Sequence, residues 1–285
     1  MSDPALSQRT TLLLLALLLA TLGSMFAVSY KRHQSVAFES VSESGAPSLP
    51  PHLLSRLGPD VGVFIVPTLG QFALWLNKPD LIQDTLKQGK VWEPEYQRLF
   101  EYFVTPEDVV VDAGAYIGSH TVKLAQLAHR GQVHAFEPQQ IALRLLHENI
   151  ALNKLTNVVV HETALGDHAG FISMHVRDEN NLGATAVVND PTDHIPLETL
   201  DSLHLTALDF VKIDVEDSEL VLLEGAKQTI ARFRPVLAIE SGEWNQPKLY
   251  EFLDRLNYDH QVFSPRQILA QPKERAVRYP PQHSS

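Results

Sequence analysis

Five carboxylates and two glycines, spread over half the chain, carry its first chemical signal. The run Val109-Val110-Val111-Asp112-Ala113-Gly114-Ala115-Tyr116-Ile117-Gly118-Ser119-His120-Thr121 goes from β-branched residues into a turn. It continues into an apolar-periodic segment with Val122, Leu124, Ala125 and Leu127. A short buried strand, a glycine-containing turn and a helix open a βαβ unit. Such a turn presents backbone N–H groups at the carboxyl edge of a sheet, where ligands bind. Glu137 closes the next strand, Val133-His134-Ala135-Phe136, and Asp214, Glu216 and Glu240 fall at or just past the ends of two later ones.

The glycine spacing discriminates between ligands. A dinucleotide loop reads G-x-G-x-x-G, and its second glycine lets the backbone approach a pyrophosphate. Here those positions hold Gly114, Tyr116 and Ser119. A tyrosine side chain stands where a pyrophosphate needs none, and Asp112 adds negative charge beside it. These features disfavour a nicotinamide-dependent oxidoreductase. An acid closing the second strand is placed to accept both hydroxyls of a ribose. Alone, the glycine loop is equally an ordinary strand–turn–helix. Joined to Glu137 it reads as a pocket for S-adenosylmethionine (SAM), with the sulfonium near Asp112.

The elements that must position these residues alternate as in a doubly wound α/β sheet. Helices are expected over Ser119 to Ala128, Ile141 to Asn153, Ser218 to Phe233 and Pro247 to Leu256. Strands are expected over Val133 to Phe136, Val158 to His161, Leu208 to Asp214 and Pro235 to Glu240, with an edge strand from Phe171 to Val176. Asn180 to Asp193 reads as a loop, rich in Asn, Asp, Gly and Thr. Tyr258 to Phe263 and Gln267 to Ala270 form a closing hairpin. Ahead of the central unit, Val63-Phe64-Ile65-Val66 and Phe72-Ala73-Leu74-Trp75-Leu76 predict another hairpin. Pro94 opens a helix that runs to Phe103.

Residues 11–30 hold Leu12-Leu13-Leu14-Leu15-Ala16-Leu17-Leu18-Leu19-Ala20 and stay uncharged to Tyr30. About twenty such residues cross a bilayer as a helix. No A-x-A-like cleavage site is evident, so a retained single-pass anchor is preferred to a signal peptide. Lys31 and Arg32 lean toward the cytoplasmic side without fixing the orientation. The expected organisation is a short tail (1–10), the anchor (11–30), a Ser-, Glu- and Pro-rich tether (31–58), a cap of hairpin and helix (59–107), the α/β domain (108–271) and a C-terminal tail (272–285). A formal charge of −11 argues against nucleic acid as a partner. The absence of cysteine removes thiolate nucleophiles and Cys–zinc sites.

Several blocks stand in the order of a known family: Trp92-Glu93-Pro94-Glu95, Val111-Asp112-Ala113-Gly114-Ala115-Tyr116-Ile117-Gly118, Ala135-Phe136-Glu137-Pro138, Ala164-Leu165-Gly166-Asp167 and Val211-Lys212-Ile213-Asp214-Val215-Glu216. From about residue 88 to 271 the chain resembles the FkbM-type SAM-dependent methyltransferases, which mostly methylate hydroxyl oxygens. The resemblance implies a Rossmann-like class I methyltransferase fold, with a seven-stranded sheet whose last strand is antiparallel and is supplied by the final hairpin. It also implies SAM contacts from Glu93, Asp112, Gly114, Ala115, Tyr116, Gly118, Ser119, His120, Thr121, Glu137, Ala164 and Leu165. Two positions depart from the family pattern. Asp217 stands where glycine is usual, and Tyr116 where asparagine is common.

On this arrangement Gly114 and Gly118 shape the methionine-binding loop. Backbone at Ser119 and His120 holds a carboxylate at the helix N-terminus, although Ser119 is also a natural helix cap. Glu137 takes the ribose, while Ala164 and Leu165 flank the adenine. Transfer to an alcohol needs in-line positioning and a base. Asp214, Glu216 and Glu240 are the candidate carboxylates, and Asp214 is alternatively the N-cap of the next helix. A divalent cation held by some of these could acidify the alcohol, but no ligand set is defined. His120, His134, His161 and His175 show no metal-ligand spacing, and Lys212 reads as structural. The expected acceptor is a small-molecule, saccharide or lipid-linked hydroxyl. A membrane-tethered SAM- or nucleoside-binding module without catalysis is the alternative.

Overall fold

Residues 57–176, 185–188 and 195–275 are described by the computed structural model. The expected anchor at 11–30 lies outside them. Among the described residues no helix is long and apolar enough to cross a membrane.

The chain begins with the expected hairpin. β1 (Val61–Val66) and β2 (Gly70–Trp75) pair antiparallel, with Val61 opposite Trp75. A short helix that sequence reasoning missed, α1 (Leu81–Lys87), follows; the Asp80 side chain caps it by accepting from the Gln83 amide. Seven residues span about two turns, too few for a helical period to show. α2 (Pro94–Phe103) has the predicted limits.

Next come β3 (Val109–Ala113), α3 (Thr121–Leu127), β4 (Gln132–Phe136), α4 (Gln140–Leu152) and β5 (Val158–His161). β6 (Ala164–Leu165), β7 (Gly170–Val176), β8 (Thr185–Val188) and β9 (Ile195–Glu198) lead through a 3-10 turn at Leu200–Leu203 to β10 (Phe210–Ile213). α5 (Glu219–Glu224), α6 (Lys227–Phe233), β11 (Val236–Glu240), α7 (Gln246–Arg255), β12 (Tyr258–Ser264) and β13 (Gln267–Pro272) complete the described chain.

A seven-stranded sheet runs in the order β12-β13-β11-β10-β3-β4-β5. β11, β10, β3, β4 and β5 pair in parallel, and β13 is antiparallel to both its neighbours. The final hairpin thus inserts the antiparallel strand, as expected for a class I methyltransferase-like sheet. Alternating residues of the strands feed opposite faces. On one face Val111, Val211 and Leu237 pack with Leu222, Ile230, Phe252 and Leu253 from α5, α6 and α7. On the other, Val110, Phe210 and Ala238 pack with Tyr96, Leu99 and Phe100 of α2 and Leu124 of α3. Burial on both faces explains why the central strands are nearly continuous apolar runs.

Two expectations need correction. Asn180 to Asp193 was expected to be a loop, but Thr185–Val188 within it pairs with β7, Ser173 opposite Val188. This strand belongs to a second sheet, ordered β6-β9-β7-β8. Its strands are short, and the polar residues around Thr185 to Val188 mask the β-branched pattern. The single helix expected from Ser218 to Phe233 is two helices broken at Gly225-Ala226. A Cβ on Gly225 would lie 1.9 Å from the carbonyl oxygen of Gly166. The loop after β6 therefore crosses the helix backbone where only glycine fits.

The hairpin is bound to α4 through the open edge of β2. Asn149 Oδ1 accepts from the Ala73 amide at 2.6 Å, and Asn153 both accepts from and donates to the backbone of Gln71 at 2.9 and 2.7 Å. These amides satisfy strand groups that would otherwise stay unpaired. Leu57, at the end of the stretch read as a tether, is buried in the same apolar cluster as Phe72, Leu74 and Leu145.

Candidate active site

A cavity of about 270 Å³ opens at the carboxyl edge of β3, β4 and β10, walled by Ala113, Gly114, Tyr116, Phe136, Glu137 and Asp214. Ligands of parallel α/β sheets bind at this edge. Pro138, Gln139, Thr163, Ala164, Leu165 and Met174 extend one side. Val215, Glu216, Ser218, Glu240 and Arg266 extend the other, with Trp92, Glu93, Leu81 and Ile82 over the top.

The turn after β3 is shaped by contact with β10. Gly114 has φ +80°, and a Cβ there would stand 1.8 Å from the carbonyl oxygen of Asp214. Glycine is thus required twice over, for its left-handed backbone and for the approach of the neighbouring chain. Tyr116 is also left-handed, with φ 50°. Asparagine enters this region more readily than tyrosine, which accounts for its frequency at this position among the proteins the sequence resembles. The Tyr116 hydroxyl turns toward the hairpin side, donating to Asp80 Oδ2 at 2.7 Å and accepting from Gln83 Nε2 at 3.3 Å.

Glu137 is 3% exposed, and each of its oxygens accepts one backbone N–H, from Tyr116 at 2.8 Å and Gln139 at 2.7 Å. Each oxygen keeps a further lone pair for a ligand hydroxyl. Burial raises its pKa to about 7, against the pull of those two amides and of Lys212. Glu240 is raised further, to about 8, by burial and by the charges of Asp214 and Glu93, with Arg266 acting in opposition. Arg266 Nη2 stands 3.3 Å from Glu240 Oε1.

Behind this wall lies a polar layer. Thr121 Oγ1 donates to Asp112 Oδ2 at 2.7 Å, and Lys212 Nζ stands 3.4 Å from Asp112 Oδ1. Lys212 also donates to the Gly114 carbonyl at 2.9 Å and lies 3.4 Å from Asp214 Oδ2. Glu93 accepts from Gln267 Nε2 at 2.6 Å and meets His120 Nε2 at 3.0 Å, and Gln97 reaches the other ring nitrogen at 3.4 Å. Burial opposes the Glu93 charge, but His120, Lys212 and Gln267 outweigh it and hold its pKa below the ordinary value. Tyr96 Oη, Asp112 Oδ1 and Gln267 Oε1 are buried without a hydrogen-bond partner.

Of the residues singled out in the sequence, Glu93, Gly114, Tyr116, Glu137, Ala164, Leu165, Asp214, Glu216 and Glu240 line the cavity. Asp112, Ala115, Ser119, His120 and Thr121 are buried, and neither they nor Gly118 form part of its wall. Ser119 is not the helix cap; His120 holds the N-cap position of α3 without a side-chain cap bond. Nor does Asp214 cap α5, whose N-cap position is Ser218. The divalent cation finds no support, since among the described residues no group of three or more His, Asp or Glu is gathered to hold one. The Lys212 ammonium occupies the place of countercharge between Asp112 and Asp214. Trp92, Phe136 and Arg266 line the cavity without having been singled out as site residues; Lys212, read as structural, carried a signal of its own, a cation inside an apolar strand.

The methyltransferase FkbM domain model matches residues 112–261, more than half of the chain. The chain belongs to the FkbM methyltransferase family. Among curated relatives, the 2-O-methyltransferase NoeI of Sinorhizobium fredii is 24% identical over 178 residues, covering 55% of this chain and 71% of that protein. A tRNA(Phe) (4-demethylwyosine(37)-C(7)) aminocarboxypropyltransferase of Methanocaldococcus jannaschii is 36% identical over 84 residues, 30% of this chain and 32% of its own. A solved FkbM methyltransferase from Methylobacillus flagellatus is 22% identical at a TM-score of 0.45, covering 67% of this chain and 52% of that one. The chain thus spans about half the length of that solved family member.

Within the family, the FkbM match begins at Asp112 and takes in Gly114, Glu137, Lys212, Asp214 and Glu240. Trp92 and Glu93, on the other side of the cavity, precede it. The cavity is therefore lined in part by residues outside the matched segment.

Proposed function

We propose that the protein is a SAM-dependent O-methyltransferase acting on a hydroxyl of a small-molecule, saccharide or lipid-linked acceptor. The observation that carries this reading is Glu137, a buried carboxylate at the end of β4 that lines the cavity beside the glycine turn, each of its oxygens held by one backbone N–H. The cavity wall fits a cationic nucleoside. Glu93, Glu137, Asp214, Glu216 and Glu240 line it, against Arg266 as the one cation among the described residues of the wall. The same balance disfavours a pyrophosphate, and with it a nicotinamide cofactor. The name of the NoeI relative supports oxygen as the methyl acceptor.

In this reading Glu137 accepts the ribose hydroxyls, and Phe136, Ala164 and Leu165 provide apolar contact for the base. Gly114 lets the loop backbone lie close to the methionine portion. When bound, SAM supplies an electrophilic methyl group on a positively charged sulfur. Asp214 and Glu240, cavity-lining carboxylates at the ends of β10 and β11, are assigned the role of taking the acceptor's proton. The apolar run 11–30 would hold the enzyme at a bilayer as a single-pass anchor, which suits an acceptor presented there.

Calorimetric titration of SAM tests the pocket. The wild-type chain is expected to bind, and Glu137→Ala to bind about 10- to 100-fold more weakly, the worth of hydrogen bonds to a charged group. Unchanged affinity in a folded Glu137→Ala variant would remove Glu137 from the site. SAM binding with no methylation across a panel of hydroxyl acceptors would favour a binding module instead.

A further inference from the structure

Lys212 is a charged side chain set inside the central strand of the sheet. Its neighbours Val211 and Ile213 enter the core, and Lys212 itself is 1% exposed. Burying an ammonium is expensive unless it is paired and hydrogen-bonded. Here three partners from two strands converge on it: the Gly114 carbonyl at 2.9 Å, Asp112 Oδ1 at 3.4 Å and Asp214 Oδ2 at 3.4 Å. Asp112 and Gly114 belong to β3 and the turn that follows it; Asp214 follows β10. Asp112 Oδ1 has no hydrogen-bond donor, so the ammonium is its compensation.

We propose that Lys212 is a positioning residue for cofactor binding and methyl transfer, its buried ammonium tying the Gly114 turn to the carboxylates of Asp112 and Asp214. The proposal rests on the methyltransferase reading. Lys212 and a sulfonium in the cavity would share Asp214, which lines the wall, while Asp112 backs the ammonium from behind it. With Lys212 present, the turn is already in place when a cation arrives. Without it Asp112 is a buried carboxylate lacking its countercharge, and Glu137 and Glu240, which Lys212 pulls down against burial, hold more of the protons that a cation must displace. The groups facing Lys212 are Asp112 on β3, Glu137 after β4, Asp214 after β10, Glu240 on β11 and Glu93 before α2. Tyr96 of α2 and His120 before α3 lie behind Glu93. Burial works against the Lys212 charge, and Asp112, Asp214, Glu93 and Glu240 together hold its pKa above the ordinary value.

Calorimetry of SAM binding to the full chain, in buffers of different ionisation enthalpy, reads both affinity and protons released. Lys212→Met is expected to bind SAM about tenfold more weakly, the equivalent of one pKa unit of interaction. It should also release more protons per SAM bound than the wild type at the same pH. Lys212→Gln, which keeps a donor for Gly114 without the charge, should recover part of the affinity and none of the wild-type proton count. If Lys212→Met fails to fold, Lys212→Met/Asp112→Asn removes both halves of the buried pair and is read in the same way. Affinity and proton count equal to wild type in the folded variants would overturn the positioning role while leaving the methyltransferase reading intact. A loss of thermal stability alone, with the proton count unchanged, would show Lys212 to be merely structural. A wild-type chain that binds no SAM would overturn both.

Discussion

At Gly114 two demands meet, a φ of +80° and a carbonyl oxygen 1.8 Å from any added Cβ. Gly114→Ala should therefore lower stability by at least about 2 kcal/mol, since the left-handed backbone alone costs a residue with a Cβ about 1–2 kcal/mol. It should also weaken SAM binding, because relief of the clash moves either the turn or Asp214; chemical denaturation beside calorimetry checks both. The glycine was legible in the sequence because its spacing departs from the dinucleotide pattern. Glu137 was legible as an acid closing a strand. Arg266 and Trp92 were not, because each enters the cavity from a connection remote from β3, and no local spacing encodes that approach. Ser119 and His120 were read from their place at a helix start, which says nothing of what packs over it. The structure buries both, His120 against the rings of Tyr96 and Phe100.

The turn from Val215 to Ser218 shows how an element absorbs an unusual residue. Glu216 and Asp217 are both left-handed, with φ 48° and 75°. Asp217 thus keeps the conformation that a glycine would adopt freely, and its amide donates to Glu219 Oε1 at 2.9 Å. Asp217→Gly is expected to raise stability by about 0.5–1 kcal/mol in denaturant unfolding and leave SAM affinity unchanged, because substitutions at positive φ act mainly on backbone strain. A large loss of affinity would mean that the Asp217 side chain takes part in binding. Elements with long apolar periods, such as α2, α4 and the central strands, were predicted to within two residues. Of the second sheet only β7 was, as the edge strand from Phe171 to Val176; β6 has two residues and β8 four, too few for a period to show. The break at Gly225 depends on Gly166, fifty-nine positions earlier, and no local pattern could announce it.

Across the molecule, raised carboxylates and lowered, half-buried imidazoles act on stability in opposite senses as pH changes. Glu137 and Glu219 are raised by burial to about 7, and Glu240 to about 8. The folded state therefore binds more protons than the unfolded state from about pH 4.5 upward, and stability falls as pH rises through these values. Burial lowers His134, and burial with the His134 charge lowers His161 to about 4. Their contribution is present above the unfolded imidazole value of about 6.5 and is lost as pH falls toward 4. The melting temperature without ligand should rise as pH is lowered from 8 to about 6.5, then rise more slowly below it, where the two imidazoles oppose the three carboxylates. A cation in the cavity favours ionised Glu137 and Glu240, so SAM affinity should rise with pH over the interval in which stability falls. Parallel melting and titration series from pH 6 to 8.5 check the opposed slopes. The clamp on β2 has a consequence for chimeras between relatives. Asn149 and Asn153 hold the backbone of Gln71 and Ala73, so the hairpin and α4 form one unit of exchange. A crossover between residues 104 and 108 would give a recipient sheet a foreign hairpin without the asparagines that recognise it. Moving acceptor preference between family members by recombination would require both segments to come from the same parent.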